Sequence, residues 1–64
     1  MYKNLEVELL KRDKGKIEFA DLIGMPYSTF NYKMNSGAFT TDEAFVIHHA
    51  LDESLDIKYL FERQ

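Results

Sequence analysis

Cysteine is absent from this chain of 64 residues, proline occurs once and glycine three times. Without cysteine there can be no disulfide and no cysteine-ligated zinc, two devices on which small cores commonly rely. Long apolar runs are missing as well. The longest is Ala44–Ile47, far short of the ~20 residues a membrane-spanning helix requires. The first residues, Met1-Tyr2-Lys3-Asn4, carry no signal-peptide core, so the cytoplasm is the expected compartment. Positive charge is in the minority: 8 Lys and Arg face 11 Asp and Glu, for a net charge of -3 and a pI near 5.2. Taken alone, that balance runs against nucleic acid, whose partners usually carry a basic surplus.

What is present suffices for one core. Hydrophobic residues make up 45% and aromatics 14%. A chain this short buries only about 60% of the surface its unfolded form exposes, so a single domain is expected. Its net stability should be about 3–10 kcal/mol, at roughly 0.05–0.15 kcal/mol per residue.

Helical periodicity predicts five helices. The first covers about Tyr2 to Arg12, with Tyr2, Leu5 and Leu9 on one face. Asp13-Lys14-Gly15 should break it, with Gly15 taking the left-handed conformation. The second covers about Lys16 to Ile23, with Phe19, Ala20, Leu22 and Ile23 facing inward and Gly24 as the break. The third starts at Pro26, which suits a first helical turn, and reaches about Met34. Phe30 and Met34 share its inner stripe, and Asn35-Ser36-Gly37 ends it. Thr40 to Glu43 reads as a capping box that opens the fourth, where Ala44, Ile47, Ala50 and Leu51 recur. The fifth should run from Ser54 as cap to about Glu62, with Leu55, Tyr59 and Leu60 as apolar contacts. No strand alternation or hairpin signal occurs.

Catalytic chemistry finds little support. His48 and His49 are adjacent, so on a helix they point about 100° apart and cannot share one metal. The expectation is one half-buried and one solvated histidine. Asp52, Glu53 and Asp56 lack calcium-loop spacing and read as a solvated loop. No nucleophile motif and no phosphate-cradling glycine loop is present. Neither an enzyme nor any cofactor or metal is expected.

One constellation is specific. Between Lys16 and Asn35 two short helices flank a tight glycine turn, Phe19-Ala20-Asp21-Leu22-Ile23-Gly24-Met25-Pro26-Tyr27-Ser28-Thr29-Phe30. Ala20 is small enough for the second helix of the pair to approach closely. Gly24 can adopt positive φ. Met25 plugs the underside of the turn, and Phe30 anchors the following helix. Those are the physical requirements of a helix-turn-helix.

On these residues the chain resembles the phage repressor/Cro-type, lambda-repressor-like family of DNA-binding domains. Ala20, Gly24, Met25, Thr29 and Phe30 match the family's alanine, glycine, aliphatic, serine or threonine, and aliphatic positions. The likeness extends through Thr40–Phe45 and Leu55–Phe61. It implies an all-α, five-helix domain whose recognition helix, about Pro26–Met34, enters the major groove of double-stranded operator DNA. It also implies that Tyr27, Ser28 and Tyr32 face base edges, that Asn31 assists, and that Asn35 meets the backbone. Lys16 and Thr29 complete the implied DNA-binding set. Tyr27 has a second reading, packing across the turn.

Four of the eight basic residues, Lys11, Arg12, Lys14 and Lys16, crowd into one segment, and Lys33 falls on the recognition helix. Asp52, Glu53, Asp56 and Glu62 gather at the other end of the chain. That distribution predicts a basic DNA face and an acidic back. The function expected is a transcriptional regulator of phage or bacterial origin, acting as a homodimer on DNA through Tyr59, Leu60 and Phe61. Net charge supports an alternative of another class: an acidic helix-turn-helix module, an antirepressor or corepressor, that docks on another phage regulator.

Overall fold

The computed structural model describes residues 1–63. Five helices follow one another, α1 Lys3–Lys11, α2 Lys16–Leu22, α3 Tyr27–Ser36, α4 Thr41–Leu51 and α5 Ile57–Leu60. The chain is all-α, with no strand among the described residues.

The core draws on every helix. Tyr2, Leu5, Leu9, Phe19, Ala20, Phe30, Met34, Ile47, Leu51 and Leu60 are buried together. Aromatic rings connect its parts. Phe19 meets Phe30 at 6.0 Å, Phe30 meets Phe39 at 5.6 Å, and Phe39 stacks on Tyr2 at 5.3 Å. Phe61 closes the series edge-on against Tyr2 and Phe39. Edge and offset arrangements of this kind suit the ring quadrupole. The Tyr2 hydroxyl keeps a polar partner, accepting the Phe39 N–H at 3.2 Å.

Two helix ends share one device. At the end of α2 the Gly24 N–H bonds to the Asp21 carbonyl and the Met25 N–H to the Ala20 carbonyl, with Gly24 at φ 75°. This pair of bonds is a Schellman ending, in which a left-handed residue satisfies the last carbonyls. Helix α1 ends the same way, through Asp13 N–H to Leu10 and Lys14 N–H to Leu9. Here the left-handed residue is Asp13, at φ 53°, while Gly15 has φ -70° and precedes α2. The expectation for Gly15 is thus corrected: the reversal comes two residues earlier, because both carbonyls are satisfied there.

The capping box is present. Thr40 Oγ1 accepts from Glu43 N–H, and Glu43 Oε1 accepts from Thr40 N–H. Three other expectations change. Pro26 precedes α3 instead of beginning it, and α3 continues two residues past Met34 to Ser36. Helix α5 is one turn long and is capped by Asp56; Ser54 instead donates to the Asp52 carboxylate. Leu22 faces outward, 63% exposed, because Phe19, Ala20 and Ile23 already fill the inner side of α2.

Candidate nucleic-acid interface

Helix α3 displays its polar residues by simple geometry. Phe30 and Met34 are buried. At about 100° per residue, Ser28, Tyr32 and Asn35 project from the opposite side, and all three are exposed. Tyr32 is the most prominent, at 70%. Asn31 and Thr29 flank this line and are half-buried. Tyr27 is exposed at the helix start, off the line and beside the turn. Helix α3 therefore brings Ser28, Tyr32 and Asn35 onto one ridge, with Asn31 and Thr29 on its shoulders.

The start of α3 bears no side-chain cap. Its first amide N–H groups, with the positive end of the helix dipole, are unsatisfied by side chains. The start of α4 is different, since the capping box occupies it and Asp42 and Glu43 lie in its first turn.

The basic residues are less available than their number suggests. Lys16 Nζ lies 3.5 Å from Glu6 Oε2, and both side chains are about one-third exposed. Lys33 Nζ donates to Glu43 Oε2, which holds α3 against the start of α4 and turns Lys33 away from the ridge. That bond and the Thr40 N–H keep the Glu43 carboxyl below its ordinary pKa. Arg12 bonds to Glu8 and, at 2.8 Å, to Asp52. Lys11 also pairs with Glu8, at 3.4 Å.

Separation along the chain has not become separation in space. Asp52, from the acidic end, sits on Arg12 in the basic segment. The Ser54 hydroxyl and then Arg12 hold the Asp52 carboxyl down at about 2. The expected basic face opposed to an acidic back is corrected accordingly. Among the described residues, Lys14 is the one basic residue of the Lys11–Lys16 segment without an ion pair. Glu8 pairs with Lys11 and Arg12 at ordinary helical spacing. The bonds of Arg12 to Asp52, Lys16 to Glu6 and Lys33 to Glu43 instead join residues 10 to 40 positions apart and obey no local spacing rule, so sequence reasoning missed them.

The residues expected at a dimer interface are committed elsewhere. Leu60 is 0% exposed and Phe61 packs on Tyr2 and Phe39. Tyr59 is partly exposed, but its hydroxyl donates to Glu8. Leu60 and Phe61 belong to the core because a domain this small needs every large apolar side chain near its terminus. His48 is half-buried, with Nε2 2.7 Å from the Leu55 carbonyl oxygen. A carbonyl only accepts, so this nitrogen carries the hydrogen. His49 is exposed beside Glu53.

No group of three or more metal-capable side chains occurs among the described residues. No helix among them is long and apolar enough to cross a membrane. Comparison of the chain with protein-family models, curated proteins and solved structures finds no match.

Proposed function

We propose that this protein is a sequence-specific DNA-binding transcriptional regulator, of phage or bacterial origin, whose α3 reads the major groove of an operator half-site. The observation that carries the reading is the α2–α3 unit: a glycine turn at positive φ, a buried Phe30 anchor, and an exposed ridge of Ser28, Tyr32 and Asn35. Ser28 offers a donor and an acceptor to base edges, and the Tyr32 ring suits thymine methyls. Asn35, with the uncapped start of α3 beside Tyr27, Ser28 and Thr29, supplies phosphate contacts that need no formal charge. Asn31 supports the ridge.

Lys16 is the cation for the flanking phosphate. Its 3.5 Å pair with Glu6 is partly exposed, and such pairs contribute about 0–1 kcal/mol. Exchange of Glu6 for phosphate therefore costs little. One α3 reads only a few base pairs, so two copies on half-sites ~34 Å apart supply the rest of the specificity. The resemblance to lambda-repressor-like domains agrees with this reading. No enzymatic activity and no cofactor belong to it.

The test is a gel shift against the intergenic DNA beside the protein's own gene, repeated across salt concentrations. Retention of one duplex over scrambled DNA, with affinity falling steeply as salt rises, is the expected result. Equal and weak retention of every duplex overturns it.

A second reading is favoured by one observation. Lys11, Arg12, Lys16 and Lys33 are all engaged by carboxylates of the same chain. On that reading Tyr32 is an aromatic anchor for another regulator, and the domain is an antirepressor or corepressor that binds no DNA.

A further inference from the structure

Three large apolar side chains, Leu22, Phe45 and Val46, lie exposed together on the surface. Leu22 and Ile23 at the end of α2 form one wall of an open groove of about 600 Å³; Phe45, Val46, His49 and Ala50 on α4 form the other. Phe45 is 57% exposed and Val46 51%. Through Ile23 and Val46 the groove continues into a smaller hollow of about 150 Å³ that ends at Asp42 and Glu43. At the opposite end His49 Nδ1 lies 3.2 Å from Glu53 Oε1. Neither hollow is lined by lysine or arginine. The groove is therefore an apolar strip with the exposed Asp42 carboxylate at one end, where Glu43 is already held by Lys33, and Glu53 just beyond His49 at the other.

That charge pattern selects the occupant. Two copies meeting through this strip would set Asp42 and Glu53 against carboxylates of the other copy, whether α4 helices paired parallel or antiparallel. Like charges at an interface are strongly unfavourable. DNA phosphate is repelled for the same reason. A helix with large apolar residues on one face and lysine or arginine at both ends satisfies both features, in the manner of helix-in-groove recognition. Phe45 and Leu22, which rise from opposite walls, would be its apolar anchors.

We propose that the α2–α4 groove is a docking site for a basic-ended amphipathic helix of a partner protein. None of Ser28, Tyr32 and Asn35 lines it, so a partner can be held while α3 is on DNA. The proposal does not depend on DNA binding.

The probe is a synthetic helical peptide of about 16 residues, long enough for measurable helicity, with leucines at i, i+3, i+4 and i+7 and lysines at both ends. A counterpart carries glutamates in place of the lysines. Each is titrated into the isotope-labelled full chain and followed by amide chemical shifts. The lysine peptide should shift Leu22, Ile23, Phe45, Val46 and Ala50, and bind at least about tenfold more tightly than the glutamate peptide. Val46→Lys, at an exposed position, should abolish binding with the circular dichroism unchanged. If that variant does not fold, Asp42→Asn with Glu53→Gln should erase the preference for lysine. Equal binding of the two peptides, shifts centred outside the groove, or a groove already closed by self-association in sedimentation would overturn the proposal.

Discussion

The phenol of Tyr59 donates to the carboxylate of Glu8 at 2.9 Å, joining the single turn of α5 to the middle of α1. The same carboxylate receives Arg12 and Lys11. Arg12 first and Tyr59 second hold the Glu8 carboxyl below its ordinary pKa, and Glu8 pushes the Tyr59 phenol up. A folded phenol that titrates above its unfolded value of about 10 stabilises fully below that value, and its contribution is lost as pH rises through the folded one. Tyr59→Phe should lower stability at neutral pH and flatten the alkaline limb of the stability curve, as measured by urea denaturation.

Acid behaves in the opposite sense. Asp52 titrates near 2 in the folded chain against an ordinary 3.8. Its contribution is present above 3.8 and is lost as pH falls through about 2; Glu8 acts in the same direction. Asp52→Asn should weaken the fold at pH 6 and reduce the acid-induced loss between those values. Urea midpoints at several pH values check both outcomes.

Asp13 occupies the left-handed region at φ 53°, where a side chain other than glycine costs about 1–2 kcal/mol. It is exposed and makes no ion pair among the described residues. Asp13→Gly should raise stability, by up to about 1 kcal/mol after the larger unfolded-state entropy of glycine is offset. Thermal denaturation measures it, and an unchanged or lower midpoint would contradict the assignment of Asp13 as the residue that reverses the chain.

Leu60→Ala separates core from interface. Truncating a fully buried leucine typically costs about 2–5 kcal/mol, a large part of the stability of so small a domain. The variant should unfold at lower urea at every protein concentration. A midpoint that depends on protein concentration in the wild type alone would return Leu60 to a dimer contact.

Three variants probe the proposed reading of DNA. Tyr32→Ala should keep its fold and lose roughly 1–3 kcal/mol at the preferred operator, the size of a good base contact. Lys16→Glu should weaken binding to all duplexes alike and reduce the slope of log K against log salt by about 0.9. Glu6→Gln should tighten binding, because it releases Lys16. A folded Tyr32→Ala with wild-type affinity removes Tyr32 from the reading face, and a Lys16→Glu with wild-type affinity for every duplex removes Lys16 from the backbone contact.

Much of this architecture is written in neighbouring residues. The Thr40–Glu43 box, the Gly24 reversal and the Phe30–Met34 stripe depend on groups within one helical turn, so spacing alone reveals them. From that same spacing follow the place of Ser28 and Tyr32 outside that stripe and the all-helical class. The limits of local reading appear at Gly15 and Asp13. Composition favours glycine for the left-handed position, but where the α1 carbonyls end is what decides it.

The remaining features are decided by contacts between distant segments. Leu22, Phe45 and Val46 have the hydropathy of core residues, yet the interior was filled by Phe19, Phe30, Ile47 and Leu60, which left them on the surface as a groove. Leu60 and Phe61 could have been interface by pattern; full burial made Leu60 core, and Phe61 packs on Tyr2 and Phe39. The basic segment from Lys11 to Lys16 is obvious in the primary structure, but its effective charge is not. Glu8 meets Lys11 and Arg12 within one turn of α1, but only folding brought Asp52 to Arg12 and Glu6 to Lys16. Charge along a chain is additive, whereas the field at a surface depends on which opposite charges the fold sets beside it, and the packing of α1 against α2 and against the segment after α4, and of α3 against α4, determines that.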